Sequence, residues 1–189
     1  MALFALVPSF AQEAGEGQTL YGFVLGAGVN ADTQKYGFVK FNTSDLTKVD
    51  YLKTVTMWTP MVCAAEYLDG KIYAYTVDWD TDFGGYSSSA FEVYDATTFK
   101  SESSVNRSSE QRVLDMAYDY TTNTMYALAE DAVSTKETTG ATSLCIVDLA
   151  TGKLTRVGSP DIPQAKDGYN RLVNNTLITL AADNNGNLY

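Results

Sequence analysis

The sequence predicts an all-β fold, an array of about three four-stranded antiparallel units followed by the start of a fourth. Three observations carry this. Landmarks recur at near-constant spacing: Tyr21 precedes Tyr73 by 52 residues, Tyr73 precedes Tyr126 by 53, and Asn42, Asp95 and Asp148 follow one another at steps of 53. Short runs rich in Tyr, Val, Thr and Phe alternate with clusters of Asn, Asp and Gly, the chemistry of strands and hairpin turns. No window shows sustained helical periodicity.

The elements follow in order. In the first unit TLYGFVLG is followed by KYGFVKFNTSDLTKV; in the second EYLDGKIYAYTVDW precedes AFEVYDATTFKSE; in the third YDYTTNTMYALAED precedes SLCIVDLATGKLT; a fourth opens as AADNNGNLY. The first strand of each unit (VCAAEY, LDMAYDY, LITLAAD) is apolar with small residues. Leu68-Asp69-Gly70, Thr121-Thr122-Asn123 and Asn184-Asn185-Gly186 supply turn residues that tolerate positive φ. Second strands KIYAYTV and TMYALAE carry β-formers. Third strands FVKFN, FEVYD and CIVDL bring Asn42, Asp95 or Asp148 to their ends, where each can form an Asx-turn into a fourth strand. Tyr126 to Tyr189 is 63 residues, which places about ten extra residues between Gly158 and Arg171.

A four-stranded unit of about 50 residues, repeated, is the pattern of a β-propeller blade. The competing reading is a β-sandwich with accidental similarity. Blade boundaries fall at about 19–57, 58–108, 109–160 and 172–189, the last incomplete. The first unit lacks a first strand, and a ring needs at least four blades, so the expectation is an incomplete ring, the N-terminal portion of a longer propeller. The pattern of turn, Tyr strand and then Asp-x-x-Thr turn, as in DATTFK and DLATGK, resembles the broad YVTN/quinoprotein-like/WD-repeat propeller superfamily over roughly residues 19–189. That resemblance implies radial blades, with function on the face that carries the loops between second and third strands, or in the axial channel. The Trp-Asp dipeptide of WD repeats is absent at the ends of the third strands, and the Asp boxes of sialidases and the tryptophan docking motifs of quinoprotein dehydrogenases are absent too, so the resemblance reaches the fold and stops short of an activity.

Residues 1–11 read as the remnant of a signal peptide. Apolar Ala2–Val7 is followed by Pro8 and by small Ser9 and Ala11, which fits cleavage before Gln12. Residues 12–18 form a short polar linker. The expected location is therefore periplasmic or secreted. No run approaches the roughly 18 apolar residues of a membrane span. Cys63 and Cys145 sit in apolar runs, VCAA and SLCIV, where thiols behave as small core residues; two buried free thiols are the expectation, and a disulfide, which export permits, is the alternative.

Composition narrows the chemistry. Thirteen Lys and Arg face 23 Asp and Glu, for a net charge of −10, and histidine is absent. A chain this acidic, with no basic cluster, is a poor candidate for nucleic acid or an anionic membrane, so no nucleic-acid partner is expected. Without histidine there is no Ser–His–Asp triad and no His-ligated zinc.

Three groups of residues remain as candidates. Asp78, Asp80 and Asp82 alternate ahead of Gly84-Gly85 and could surround Ca²⁺, the one cofactor worth considering; the spacing departs from an EF-hand, with glycine in the seventh place and Ser89 in the twelfth. The competing reading is a solvated acidic loop. Trp58, Trp79, Phe83, Tyr86 and Tyr169 lie on predicted loops where aromatic rings beside carboxylates suit sugar binding, or else packing between units. Glu110, Arg112 and Asp115 stand where the third unit's first strand begins, as a polar channel mouth or a carboxylate pair for glycosidic acid–base work. The function expected is an exported scaffold that binds a protein or carbohydrate ligand, with Trp58, Trp79, Tyr86, Arg112, Asp115 and Tyr169 as contacts. The alternative is a propeller-type enzyme, a glycan hydrolase or lyase or a metal-dependent lactonase-like hydrolase, whose site further blades complete.

Overall fold

A computed structural model describes residues 2–4, 17–27, 35–55, 61–80, 85–107, 112–130, 142–158, 165–166, 168, 172–173, 177 and 179–189. The chain is all-β, with three antiparallel sheets that are open meanders in chain order. The first is β2 (Thr19–Ala27), β3 (Lys35–Asn42) and β4 (Asp45–Val55), with the short β1 (Ala2–Phe4) on the outer edge of β2. The second is β5 (Met61–Leu68), β6 (Lys71–Asp80), β7 (Gly85–Asp95) and β8 (Ser101–Asn106). The third is β9 (Arg112–Asp119), β10 (Thr124–Glu130), β11 (Thr142–Val147) and β12 (Leu154–Gly158). A two-stranded pair, β13 (Ala165–Lys166) with β14 (Leu172–Val173), and a bridge between Ala182 and Leu188 follow.

One expectation needs correcting. The first sheet does have a strand beside β2, because Ala2, Leu3 and Phe4 pair with Phe23, Gly22 and Tyr21. The physical reason is the free edge of β2, whose unpaired N–H and C=O groups are satisfied by any extended segment that reaches them.

The turns form where Asp, Asn and Gly predict them. Asp69 and Gly70 both take positive φ, 49° and 80°, in the two-residue hairpin between β5 and β6, the geometry whose twist matches the strands. After β7, Asp95 Oδ1 accepts the N–H groups of Thr97 (3.1 Å) and Thr98 (2.6 Å), and the Phe99 N–H bonds the Asp95 carbonyl at 2.8 Å. After β11, Asp148 Oδ1 accepts from Ala150 (2.9 Å) and Thr151 (3.0 Å), and the Gly152 N–H bonds the Asp148 carbonyl at 2.7 Å. Asn42 makes the simpler version, accepting the Ser44 N–H at 2.8 Å. These backbone donors hold Asp95 and Asp148 below the usual carboxylate range.

The sheets stack in sequence, and strand alternation sends each residue of the middle sheet to one neighbour or the other. Val62, Ala65, Ile72, Ala74, Tyr94 and Phe99 join Phe23 and Phe38 in a core with the first sheet. Ala64, Tyr75, Phe91 and Val93 join Val113, Met116, Met125, Ala127 and Val147 in a core with the third. The leading strands β5 and β9 lie against one another. Alanines 64, 65 and 117 are almost wholly buried in them, so the small residues of the first strands serve close approach.

Candidate functional site

The polar group with the most unusual chemistry lies at one end of the third sheet. Arg112 opens β9, Glu130 closes β10 and Thr142 opens β11, and the register places Glu130 directly opposite both Arg112 and Thr142. Cross-strand partners share a face, so the three side chains form one row. Arg112 Nη2 makes an ion pair with Glu130 Oε2; the Glu130 side chain is 8% exposed and that of Arg112 34%. Two atoms of the row, Arg112 Nε and Thr142 Oγ1, are buried with no hydrogen-bond partner. Orphaned polar atoms are rare in folded proteins, because each forfeits about 1–3 kcal/mol of solvation. Here two of them flank one buried carboxylate. The row therefore offers a donor at Nε, a donor or acceptor at the hydroxyl, and the remaining lone pairs of Glu130.

The predicted residues separate into three groups. Arg112 belongs to this row. Asp115, three residues along β9, spends its carboxylate on backbone: Oδ1 accepts the Met116 N–H and Oδ2 the Leu180 N–H, both at 2.9 Å. It ties the segment 179–183 to β9. Asp78, Trp79 and Asp80 are strand residues, not loop residues, paired in β6 with Ser87, Tyr86 and Gly85 of β7. The ladder therefore extends beyond the predicted strand end, since the paired Trp79 and Tyr86 favour extended backbone once the hairpin has started. Asp78 is exposed. Trp58, Asp82, Phe83, Glu110 and Tyr169 lie outside the described residues. Among the described residues, no three acidic or cysteine side chains gather as a metal site.

Glu130, Thr142 and Glu66 were missed. A signal for Glu130 existed: it falls 53 residues after Val77, so an acid replaces an apolar residue at the end of an otherwise apolar strand. Glu66, on β5, is a half-buried acid whose desolvation pushes its carboxyl up to about 8. Cys63 is chemically quiet: burial raises its thiol to about 12, and Sγ donates to the Tyr75 carbonyl at 3.2 Å. Cys63 and Cys145 are not joined in a disulfide. No described helix is long and apolar enough to cross a membrane.

Compared with known proteins, the chain matches no family model and no curated protein.

Proposed function

We propose that this chain is a β-propeller-type scaffold, exported from the cell, that binds a polar ligand at the Arg112–Glu130–Thr142 end of its third sheet. Three features support the propeller reading: four-stranded meanders stacked in chain order, leading strands β5 and β9 against each other, and one Asp-capped turn recurring at Asp95 and Asp148. The Ala2–Ala11 pattern supports export. N-terminal sequencing of the mature protein checks it, and a mature chain that keeps Ala2–Ala11 refutes export by this signal.

The observation that carries the binding reading is the pair of orphaned atoms beside a buried carboxylate. A ligand hydroxyl accepts from Arg112 Nε and donates to Glu130, and a second hydroxyl or a carbonyl satisfies Thr142. A carbohydrate supplies adjacent hydroxyls, each both donor and acceptor, whereas a peptide backbone divides donor and acceptor between separate N–H and C=O groups, so carbohydrate fits this row better. The orphaned atoms are closed to solvent, so on this reading a ligand enters where the Arg112 side chain, the more exposed member, moves aside.

Calorimetric titration of neutral oligosaccharides into the wild type, Thr142→Val and Glu130→Gln tests it. The expected result is binding by the wild type and a loss of about tenfold or more in each variant, since each removed hydrogen bond contributes about 1.5 kcal/mol. Oligosaccharide binding that both variants retain in full, or a wild type that binds none of the panel, defeats the assignment.

A further inference from the structure

Glu66 and Asp119 stand near or at the end of the leading strands β5 and β9, and Asp183 follows the bridge residue Ala182, each ahead of a turn. Two of them are fully used by that turn. Asp119 accepts from Thr121 N–H (2.8 Å), Thr121 Oγ1 (2.6 Å) and Thr122 Oγ1 (2.6 Å). Asp183 accepts from the Asn185 and Asn187 backbones, Asn187 Nδ2 and the Tyr189 hydroxyl, at 2.8–3.1 Å. The turn after Glu66 reads Leu68-Asp69-Gly70, with no hydroxyl or amide side chain to offer. Among the described residues, its carboxyl instead accepts from backbone N–H groups, that of Tyr67 at 3.0 Å and that of Tyr118 on β9. It borders a cavity of about 20 Å³, room for one or two waters, walled by Tyr21, Gly22 and Phe38 of the first sheet with Ala65, Tyr67 and Ile72 of the second. Glu66 thus touches the junction where all three sheets meet.

We propose that Glu66 is a proton-operated clasp at this junction: as the neutral acid it lets the sheets close, and as the carboxylate it loosens them. Among the described residues, no counter-charge acts on it. The titratable groups about it are Asp115, Tyr118 and Tyr120 from the third sheet and the residue after it, Tyr21 from β2, Tyr73 opposite it on β6, and Tyr67 and Asp69 along its own chain. None is a cation. Asp115 adds a like charge, and it is held in place by its bonds to Met116 and Leu180. An ionised Glu66 is therefore both desolvated and repelled. Burial, the larger cause, and Asp115 together raise its carboxyl from 4.5 to about 8. The raised value sets the sign. The folded state holds a proton that the unfolded state releases near pH 4.5, so the contribution is full below that pH and is lost as pH rises toward 8. Asp119 and Asp183, both held low, act in the opposite sense, on the acid side.

Two measurements on the full chain test the clasp. Denaturant unfolding of the wild type and Glu66→Gln is followed from pH 5 to pH 9. The unfolding constant of the wild type, relative to the variant, is expected to rise by roughly two to three powers of ten across that range. The protection factors of the β5 and β9 amides are expected to fall above pH 8 in the wild type and to hold in Glu66→Gln. The second measurement needs no variant: the Glu66 side-chain carboxyl carbon, assigned through bonds in ¹³C-labelled protein, should titrate near pH 8. A titration near pH 4.5, or parallel pH profiles for the two proteins, overturns the proposal. A shift that Asp119→Asn reproduces with the same sign overturns it as well.

Discussion

The two contacts between sheets use the same positions and opposite side chains. In the first sheet Phe23 and Phe38 are cross-strand partners, with ring centroids 5.1 Å apart; in the second, Tyr75 and Phe91 are partners at 4.9 Å. Each pair is covered by the Asp-capped turn of the next sheet. Over Phe38 that turn places Phe99, φ 54°, 5% exposed and 5.4 Å from the Phe38 ring. Over Phe91 it places Gly152, φ 66°, where an added Cβ would fall 2.3 Å from Phe91 Cγ. One junction is filled from the turn side and the other from the sheet side. The lesson is that the turn backbone is the shared element, while the volume that fills the gap is supplied by whichever neighbour has the ring.

This comparison can be broken at either end. Phe99→Ala should have the largest effect, about 3–5 kcal/mol, because it empties the space beside Phe38 and Tyr94 while leaving a Cβ in the left-handed region. Gly152→Ala should follow, at about 2–3 kcal/mol, from overpacking against Phe91 and from the positive φ. Urea unfolding of both variants checks the order. A Gly152→Ala protein as stable as the wild type would mean that Phe91 does not fill the gap. Next comes Tyr75→Phe, at about 1–2 kcal/mol: the Tyr75 hydroxyl donates to the Gly152 carbonyl at 2.6 Å, and without it that buried carbonyl loses a partner. Phe23 holds the corresponding place in the first sheet and has no hydroxyl to lose, so Tyr75→Phe should weaken only the junction of the second and third sheets. Amide exchange should then rise in β9 and β10 and stay unchanged in β2 and β3.

Much of this was legible in the chain, for local reasons. Asp69-Gly70, Asp95 and Asp148 announce their turns because Asx-turns and positive φ are properties of a few adjacent residues. The second strands, from Lys71 and Thr124, were legible because β-formers alternate there between well-marked turns. What sequence could not show depends on register and on neighbours. Phe99 looks like an ordinary aromatic; the repeat aligns it with Gly152, 53 residues on, but that its ring fills the space beside Phe38 follows only from the packing. The Arg112–Glu130–Thr142 row joins residues up to 30 positions apart through two ladders, and no spacing rule brings them together. The strand ending at Asp80 ran past its predicted end because pairing with Gly85, once begun, continues while both sides can extend.

The smallest predicted effect separates the two junctions by their latches. In each, a cation from the end of one sheet bonds a turn carbonyl of the next. Lys53 Nζ donates to the Phe99 carbonyl at 3.0 Å and lies 5.0 Å from the centroid of the Tyr94 ring. Arg107, just past β8, donates from Nε to the Thr151 carbonyl at 2.9 Å and from Nη2 to the same oxygen. The Lys53 bond is partly buried and gains a cation–π term; the Arg107 bonds are exposed, where water competes and salt screens. Although Arg107 sends two bonds to its turn carbonyl against Lys53's one, both reach a single oxygen, so the second adds little. Lys53→Met should therefore cost about 1 kcal/mol and Arg107→Met about 0.5 kcal/mol, values typical of single hydrogen bonds at a partly buried and an exposed site. Methionine keeps the aliphatic stem in each case, which isolates the polar contribution. Unfolding at low and at high salt discriminates further: the Arg107 difference should shrink with salt and the Lys53 difference should persist. Equal costs at both positions, or a larger loss at Arg107, would show that the two junctions are latched alike and that burial of Lys53 contributes nothing.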